Sequence, residues 1–415
     1  MTKLKDSGIP WIGEIPEQWV NCRFKDFLNL KSDIYSKNKI GLENIEPDSG
    51  KFIETESQFD GLGTHFIRHD VIYGKLRPYL RKVWVAEFEG SAVGDFYVFS
   101  CKKNVTSNYV KYLLLSEGFT QVVLGSVYGS KMPRVASEFI LNLPFFVPPL
   151  GEQERIAAYL EEKCGEVDEL IDVEQQMISD LESYRQAVIT EAVTHGLNPD
   201  VPKKHTGIPW IGSIPEHWEI RKTSSIFSRI GSGTTPTSGN TLYYSDEGYN
   251  WLQTGDLNNG IIEWTSKKIT KAALQDFSAL KLYPIGSIVI AMYGATIGKI
   301  GKLNIETATN QACCVLTASS EINNDFAFYE FMMGRDELIN LSYGAGQPNI
   351  SQDIIKTFRI VVPPLTEQQE IAEYLDAKCA EIDELIKVKQ EKIETLKQYR
   401  QCLIFEAVTG KITIA

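Results

Sequence analysis

The sequence predicts an α+β protein with an internal pseudo-two-fold repeat: two globular mixed α/β domains separated by two long helices that form an antiparallel coiled coil. Three observations lead there. A short Trp-containing segment occurs twice, a long helical block occurs twice, and two unlike stretches of strand and loop lie between them.

The first repeated segment is GIPWIGEIPEQW at Gly8–Trp19, which returns as GIPWIGSIPEHW at Gly207–Trp218, an offset of 199. The second runs from Val147 to Ile171 and returns from Val362 to Ile386, an offset of 215, with similarity continuing to Thr194 and Thr409. The resulting plan is a first globular domain at 1–149, a central helix at 150–196, a second globular domain at 197–363 and a distal helix at 364–415.

The second block has helical periodicity. Leu160, Cys164, Val167, Ile171, Ile178, Leu181, Val188 and Ala192 alternate in steps of four and three, with Glu174 and Arg185 filling two polar slots. The counterpart reads Leu375, Cys379, Ile382, Ile386, Ile393, Leu396, Leu403 and Ala407, with Lys389 and Arg400 in the same slots. Pro-Pro precedes each helix, Thr366 with Gln369 fits a capping box, and Gly196 and Gly410 mark the exits. At about 1.5 Å per residue these are rods of roughly 65 Å. Antiparallel pairing of two equal seams puts a pseudo-two-fold axis near residue 173 and Glu174 opposite Lys389.

The intervening segments read as strand and loop. Val83–Val85, Val93–Phe99, Ile288–Ile290 and Ala312–Leu316 are strand candidates, and turn residues gather at Gly231–Asn240 and Gly255–Gly260. Their tails align, Gly129–Ile140 with Gly344–Ile355, which points to one fold carrying different surface residues.

Composition bounds the function. With 415 residues, 43% hydrophobic and 23% charged, the chain has ample material for two to four packed units, and disorder is excluded as the main theme. The most apolar stretch, Phe139–Leu150, is short and broken by prolines, so no membrane partner is expected. A start without an apolar signal core predicts a cytoplasmic protein. Seven cysteines with no C-x-x-C pair suit reduced thiols, and no metal site is expected. The net charge of −12 argues against a nucleic-acid partner until its distribution is considered. Gly151–His195 holds 12 acidic and 3 basic residues and Thr366–Gly410 holds 10 and 6, so the remainder is close to neutral.

No string supports catalysis. Gly294–Lys299 resembles a phosphate loop but has three residues between its glycines, and Ile300 where Ser or Thr is required. Asn142–Phe145 departs at Leu143 from the Asn-Pro-Pro-Phe loop of adenine methyltransferases, and His65 and His69 fall in a loop-to-strand pattern. Nucleic-acid chemistry fits better. Tyr73–Lys82 packs Lys75, Arg77, Arg81 and Lys82 with Tyr79 into a run suited to phosphate neutralisation and guanine recognition, joined by Lys131 and Arg134. The second domain offers Gln347 and Asn349, amides that can pair with adenine edges. It also has Tyr293, Thr296 and Lys299 in the matching region, and a basic run at Lys267, Lys268 and Lys271.

On the paired GIPWIG-x-IPE-x-W anchors and the paired VPPL…EQ…IA-x-YL…DELI blocks ending in EAVT, the chain resembles the specificity subunit of type I restriction-modification systems over essentially its full length. The resemblance implies two target recognition domains, each reading one half of a split, asymmetric sequence in double-stranded DNA. It further implies an antiparallel helical spacer that docks two modification (methyltransferase) subunits, with restriction/translocase subunits joining them in a bacterial or archaeal cytoplasm. It implies no cofactor in this chain, and S-adenosylmethionine, ATP and Mg on the partner subunits. A non-catalytic DNA reader accords with the absence of catalytic motifs. The rivals are a helical scaffold that assembles a complex without reading DNA, and an autonomous methyltransferase that binds S-adenosylmethionine by itself.

Overall fold

A computed structural model describes residues 3–56, 59–129, 131–343 and 348–414. The chain divides into two compact units, Met1–Gln176 with Lys389–Ala415, and Met177–Val388. Each unit therefore holds one globular domain, part of the central helix Leu150–His195 and part of the distal helix Leu365–Val408.

In unit 1 the main sheet runs in the order Leu28–Leu30, Phe96–Cys101, Val71–Gly74, Val83–Val85, antiparallel throughout. A second four-stranded sheet contains Ile34–Tyr35, Gly63–Phe66, Gly90–Ala92 and Lys39–Ile40. Unit 2 repeats the main sheet as Phe227–Ser232, Cys313–Ala318, Ile288–Ala291 and Ile300–Leu303, extended by Gly260–Ile262. A three-stranded sheet of Lys267–Ile269, Tyr244–Leu252 and Ala308–Thr309 accompanies it. The strand expected at Val93–Phe99 begins instead at Phe96, because Gly94 takes a positive φ of 85° and interrupts the extended run.

The repeated sequence is repeated wiring. In unit 1 the Trp19 indole donates to Glu152 at 3.1 Å, Lys5 donates to the carbonyls of Glu17 and Trp19, and the Gln153 amide bridges Thr106, Asn104 and Pro148. In unit 2 Trp218 donates to Glu367 at 2.9 Å, Lys204 to Glu216 and Trp218, and Gln368 bridges Asn323, Glu321 and Pro363. Each anchor also packs on the far end of the other helix. Ile9, Ile12, Ile15 and Trp19 share a core with Ile156, Leu160, Leu403, Ile404 and Ala407, and Ile211, Ile214 and Trp218 share one with Ile189, Val193, Ile371 and Leu375. These fully buried Trp side chains satisfy their only polar atom through the first turn of a helix, which fixes the direction in which that helix leaves the domain.

Within each unit the two helices run antiparallel. The seam residues Leu160, Val167, Ile178, Leu375, Ile382, Ile386 and Ile393 are buried, while Ile171, Leu181 and Leu396 are half-buried. Glu174 lies 3.0 Å from Lys389 and 2.6 Å from Lys392, as the seam pattern requires. The other polar slots are filled by ion pairs, Arg400 with Asp168 in unit 1 and Arg185 with Asp383 at 2.6 Å in unit 2. The central helix starts at residue 150 as expected, but the capping box expected at the distal helix needs correction. The first helical residues are Leu150 and Leu365, and the carbonyls of Pro149 and Pro364 accept from Gln153 and Gln368. Thr366 is thus inside the first turn, and Gln369 donates to Glu373 instead of closing a capping box.

Candidate nucleic-acid interface

Two loops in each unit form a clasp on the same backbone plan. In unit 1 the strand Val71–Gly74 passes into the turn Leu76–Lys82, closed by Gly74 N–H donating to Lys82 at 2.8 Å and Leu80 N–H to Arg77 at 2.9 Å. In unit 2 the turn Tyr293–Lys299 is closed by Ala291 N–H to Lys299 at 2.8 Å and Ile297 N–H to Gly294 at 3.1 Å. Two positions of the turn take the left-handed conformation in both units, Arg77 and Arg81 in the first and Gly294 and Gly298 in the second. Glycine adopts this geometry freely. Each arginine holds it at a cost of about 1 kcal/mol or more, so the surrounding contacts must impose it.

The second loop crosses the first. Tyr128 and Arg134 exchange backbone hydrogen bonds of 3.0 Å, Arg134 also bridges Leu76, and Arg77 N–H donates to Pro133 at 2.8 Å. Tyr343 and Asn349 exchange bonds of 3.1 and 2.9 Å, and Asn349 bridges Tyr293. Arg134 and Asn349 are therefore equivalent, as the aligned tails indicate.

On this common frame the side chains differ. In unit 1 Arg77 and Lys131 are exposed, Tyr79 is 47% exposed on the short turn Pro78–Leu80, and Lys75 sits 5.2 Å over the Tyr97 ring. Arg134 is anchored by two 2.9 Å hydrogen bonds to Asp95, whose carboxyl is held below its ordinary value by that guanidinium. In unit 2 the position equivalent to Asp95 is Ala312, which cannot form such an ion pair, and Asn349 is exposed. Elsewhere in the unit Gln352 donates to Ser232 at 2.7 Å, and Gln311 accepts from Thr235 at 2.7 Å. The exposed groups of the first clasp include Arg77 and Lys131, whereas those of the second include Tyr343 and Asn349.

Not every sequence candidate faces outward. Arg81 is committed to Asp48 and Glu117 and, with Asp168 and Arg400, lines an open cavity of about 1090 Å³. Lys82 turns inward to the Leu42 carbonyl at 2.5 Å, and burial lowers its pKa. Thr296 and Lys299 are half-buried at the unit 2 turn. Lys267 and Lys268 stand apart, on the sheet that pairs them with Trp251 and Asn250. Gln347 lies outside the described residues. Sequence reasoning missed Tyr128 and Tyr343, which are 57% and 74% exposed at the same place in both clasps. The available signal was the Tyr preceding each aligned tail by one residue.

Duplicated units with one backbone clasp and unlike side chains define a bipartite recognition protein. The chain belongs to the type I restriction modification DNA specificity domain family, which matches residues 16–183 and 215–395. It is 25% identical to the type I restriction enzyme MjaVIII specificity subunit of Methanocaldococcus jannaschii, over 96% of this chain and 94% of that one. It is 30% identical to the EcoKI specificity subunit of Escherichia coli over 49% of this chain and 45% of the relative. Among solved structures it is similar to a chain of a type I R-M system studied for complex assembly and conformational transition, with TM-score 0.74 and 20% identity, covering 96% and 99%. The HsdS subunit from Thermoanaerobacter tengcongensis gives TM-score 0.50 and 19% identity over 96% and 98%. Among the described residues no helix is long and apolar enough to cross a membrane.

Proposed function

We propose that this chain is the sequence-reading subunit of a type I restriction-modification assembly, with each unit reading one half of a bipartite, asymmetric DNA target. The observation that supports this reading best is the clasp itself. A backbone frame shared by both units presents Arg77, Lys131 and Tyr79 in one, and Tyr293 and Asn349 in the other. Guanidinium groups pair with guanine O6 and N7, whereas amides pair with adenine N6 and N7, so unlike clasps suit unlike half-sites. A helical spacer of constant length would give a constant gap between half-sites.

The helices also suit two copies of one partner. Leu170 and Val173 of the central helix and Leu385 and Val388 of the distal helix are equivalent positions, all 45–50% exposed. Repeated apolar positions on strongly acidic helices fit protein docking better than phosphate contact. The expected partners are two modification subunits holding S-adenosylmethionine, and restriction/translocase subunits using ATP and Mg.

The test is coexpression with a modification subunit and mapping of methylated adenines in host DNA. A split, asymmetric motif is expected. A contiguous palindrome, or no methylation, overturns the reading.

A further inference from the structure

The two clasps differ at nearly every exposed position, yet each begins with an exposed tyrosine. Tyr128 and Tyr343 are fixed by the same pair of backbone hydrogen bonds, to Arg134 and to Asn349. Neither hydroxyl has a hydrogen-bond partner among the described residues, and both rings are more than half exposed. Around them the equivalent residues change character: Arg77 becomes Gly294, Lys75 becomes Met292 and Arg134 becomes Asn349. A group that reads bases should vary between two readers of different sequences. A group that holds the backbone, which is the same in every sequence, has no reason to vary.

We infer that Tyr128 and Tyr343 are sequence-independent positioning residues, each donating its hydroxyl proton to a DNA phosphate oxygen, while Arg77 and Asn349 select the base. This inference rests on the DNA-reading assignment above and adds a division of labour within each clasp. The tyrosine suits the task because its hydroxyl stands on a rigid ring with only two side-chain torsions, set on a backbone position locked from both sides. A phosphate accepts such a bond at any base step, so the contact registers the duplex without adding preference.

The test uses the full chain coexpressed with its modification subunit and a pool of random-sequence duplexes, with bound sequences and total bound fraction both measured. Tyr128→Phe and Tyr343→Phe should each weaken binding to the whole pool by about tenfold while the enriched motif stays unchanged. Arg77→Ala should change the motif in one half only. The inference is overturned if the Phe variants bind like the parent, or if they change the motif. Because both tyrosines are exposed, loss of folding does not confuse the result, and equal melting temperatures check this. A parent complex that enriches no sequence would instead defeat the DNA-reading assignment itself.

Discussion

Glu174 and Lys389 are the same position in the two repeats, and they meet, with Glu174 Oε2 3.0 Å from Lys389 Nζ. The other two polar slots do not distinguish the repeats, since Arg185 pairs with Asp383 as Arg400 pairs with Asp168. Only the Glu174 slot carries opposite charges in the two copies, so it alone favours pairing between unlike repeats over pairing of like with like. The hydrogen bonds from Lys392 and Lys389 hold the Glu174 carboxyl below its ordinary value of 4.5. A depressed carboxyl stabilises the fold above its unfolded pKa, and the contribution is lost as pH falls through the folded value. Glu174→Gln should therefore lower the melting temperature at pH 7, with the gap to the parent closing as pH drops below about 4.5. A gap that persists in acid would show that packing, not charge, sets this slot.

Glu330 has the opposite sign. It is fully buried in the helix Asn324–Met333, accepts from Val361 N–H at 2.8 Å as its one hydrogen bond among the described residues, and burial pushes its pKa from 4.5 to about 8. The folded state holds the proton that the unfolded state releases, so stability falls as pH rises from about 4.5 through 8. Glu330→Gln keeps an oxygen for Val361 and cannot ionise. It should raise stability on the order of 2 kcal/mol at pH 8 and leave it unchanged at pH 4, measured by chemical denaturation at both pH values.

The two arginines of the unit 1 turn should separate cleanly. Arg81→Ala removes the partner of Asp48 and Glu117 and should cost about 1–3 kcal/mol. Arg77→Gly installs the residue found at the equivalent Gly294, relieves the left-handed strain, and should stabilise by about 0.5–1 kcal/mol while altering the methylated motif. A destabilised Arg77→Gly would mean that its side chain holds the turn.

The anchor tryptophans make a paired prediction. Trp19→Phe and Trp218→Phe each delete an indole bond to the first turn of a helix, and each should cost about 1 kcal/mol or more. Similar losses in the two variants are expected from the identical wiring, and a large loss in only one would break the equivalence.

On the helix surface, Leu170→Glu and Leu385→Glu should weaken assembly with modification subunits, read by sedimentation, without shifting the melting temperature of the isolated chain. Both side chains are exposed, so a stability loss would place them in the chain's own packing.

Much of this was legible in the sequence because repetition and periodicity are properties of residue order. The duplicated anchors, the antiparallel helices and the Glu174–Lys389 contact all follow from the two offsets and the four-three alternation. The distal capping box was misplaced because Pro364 and Leu365 carry no polar capping side chain, and Thr366 offered a conventional one. The site was only half legible. Charge density picks out Tyr73–Lys82, yet sequence cannot say that Arg81 meets Asp48 and Glu117 while Arg77 stays exposed, since those acids are 33 and 36 residues away. Tyr128 and Tyr343 escaped notice because an isolated tyrosine has no spacing to recognise. Their meaning comes from the backbone bridges that make them equivalent.

The bonds that close each clasp run between main-chain groups, at Gly74–Lys82, Tyr128–Arg134, Ala291–Lys299 and Tyr343–Asn349. Peptide groups are chemically the same whatever side chain they bear, so the outward residues of the loop can be exchanged while its shape is inherited intact. On the reading proposed above, a lineage carrying this scaffold could acquire a new address on the genome by surface substitutions alone, without relearning how to fold.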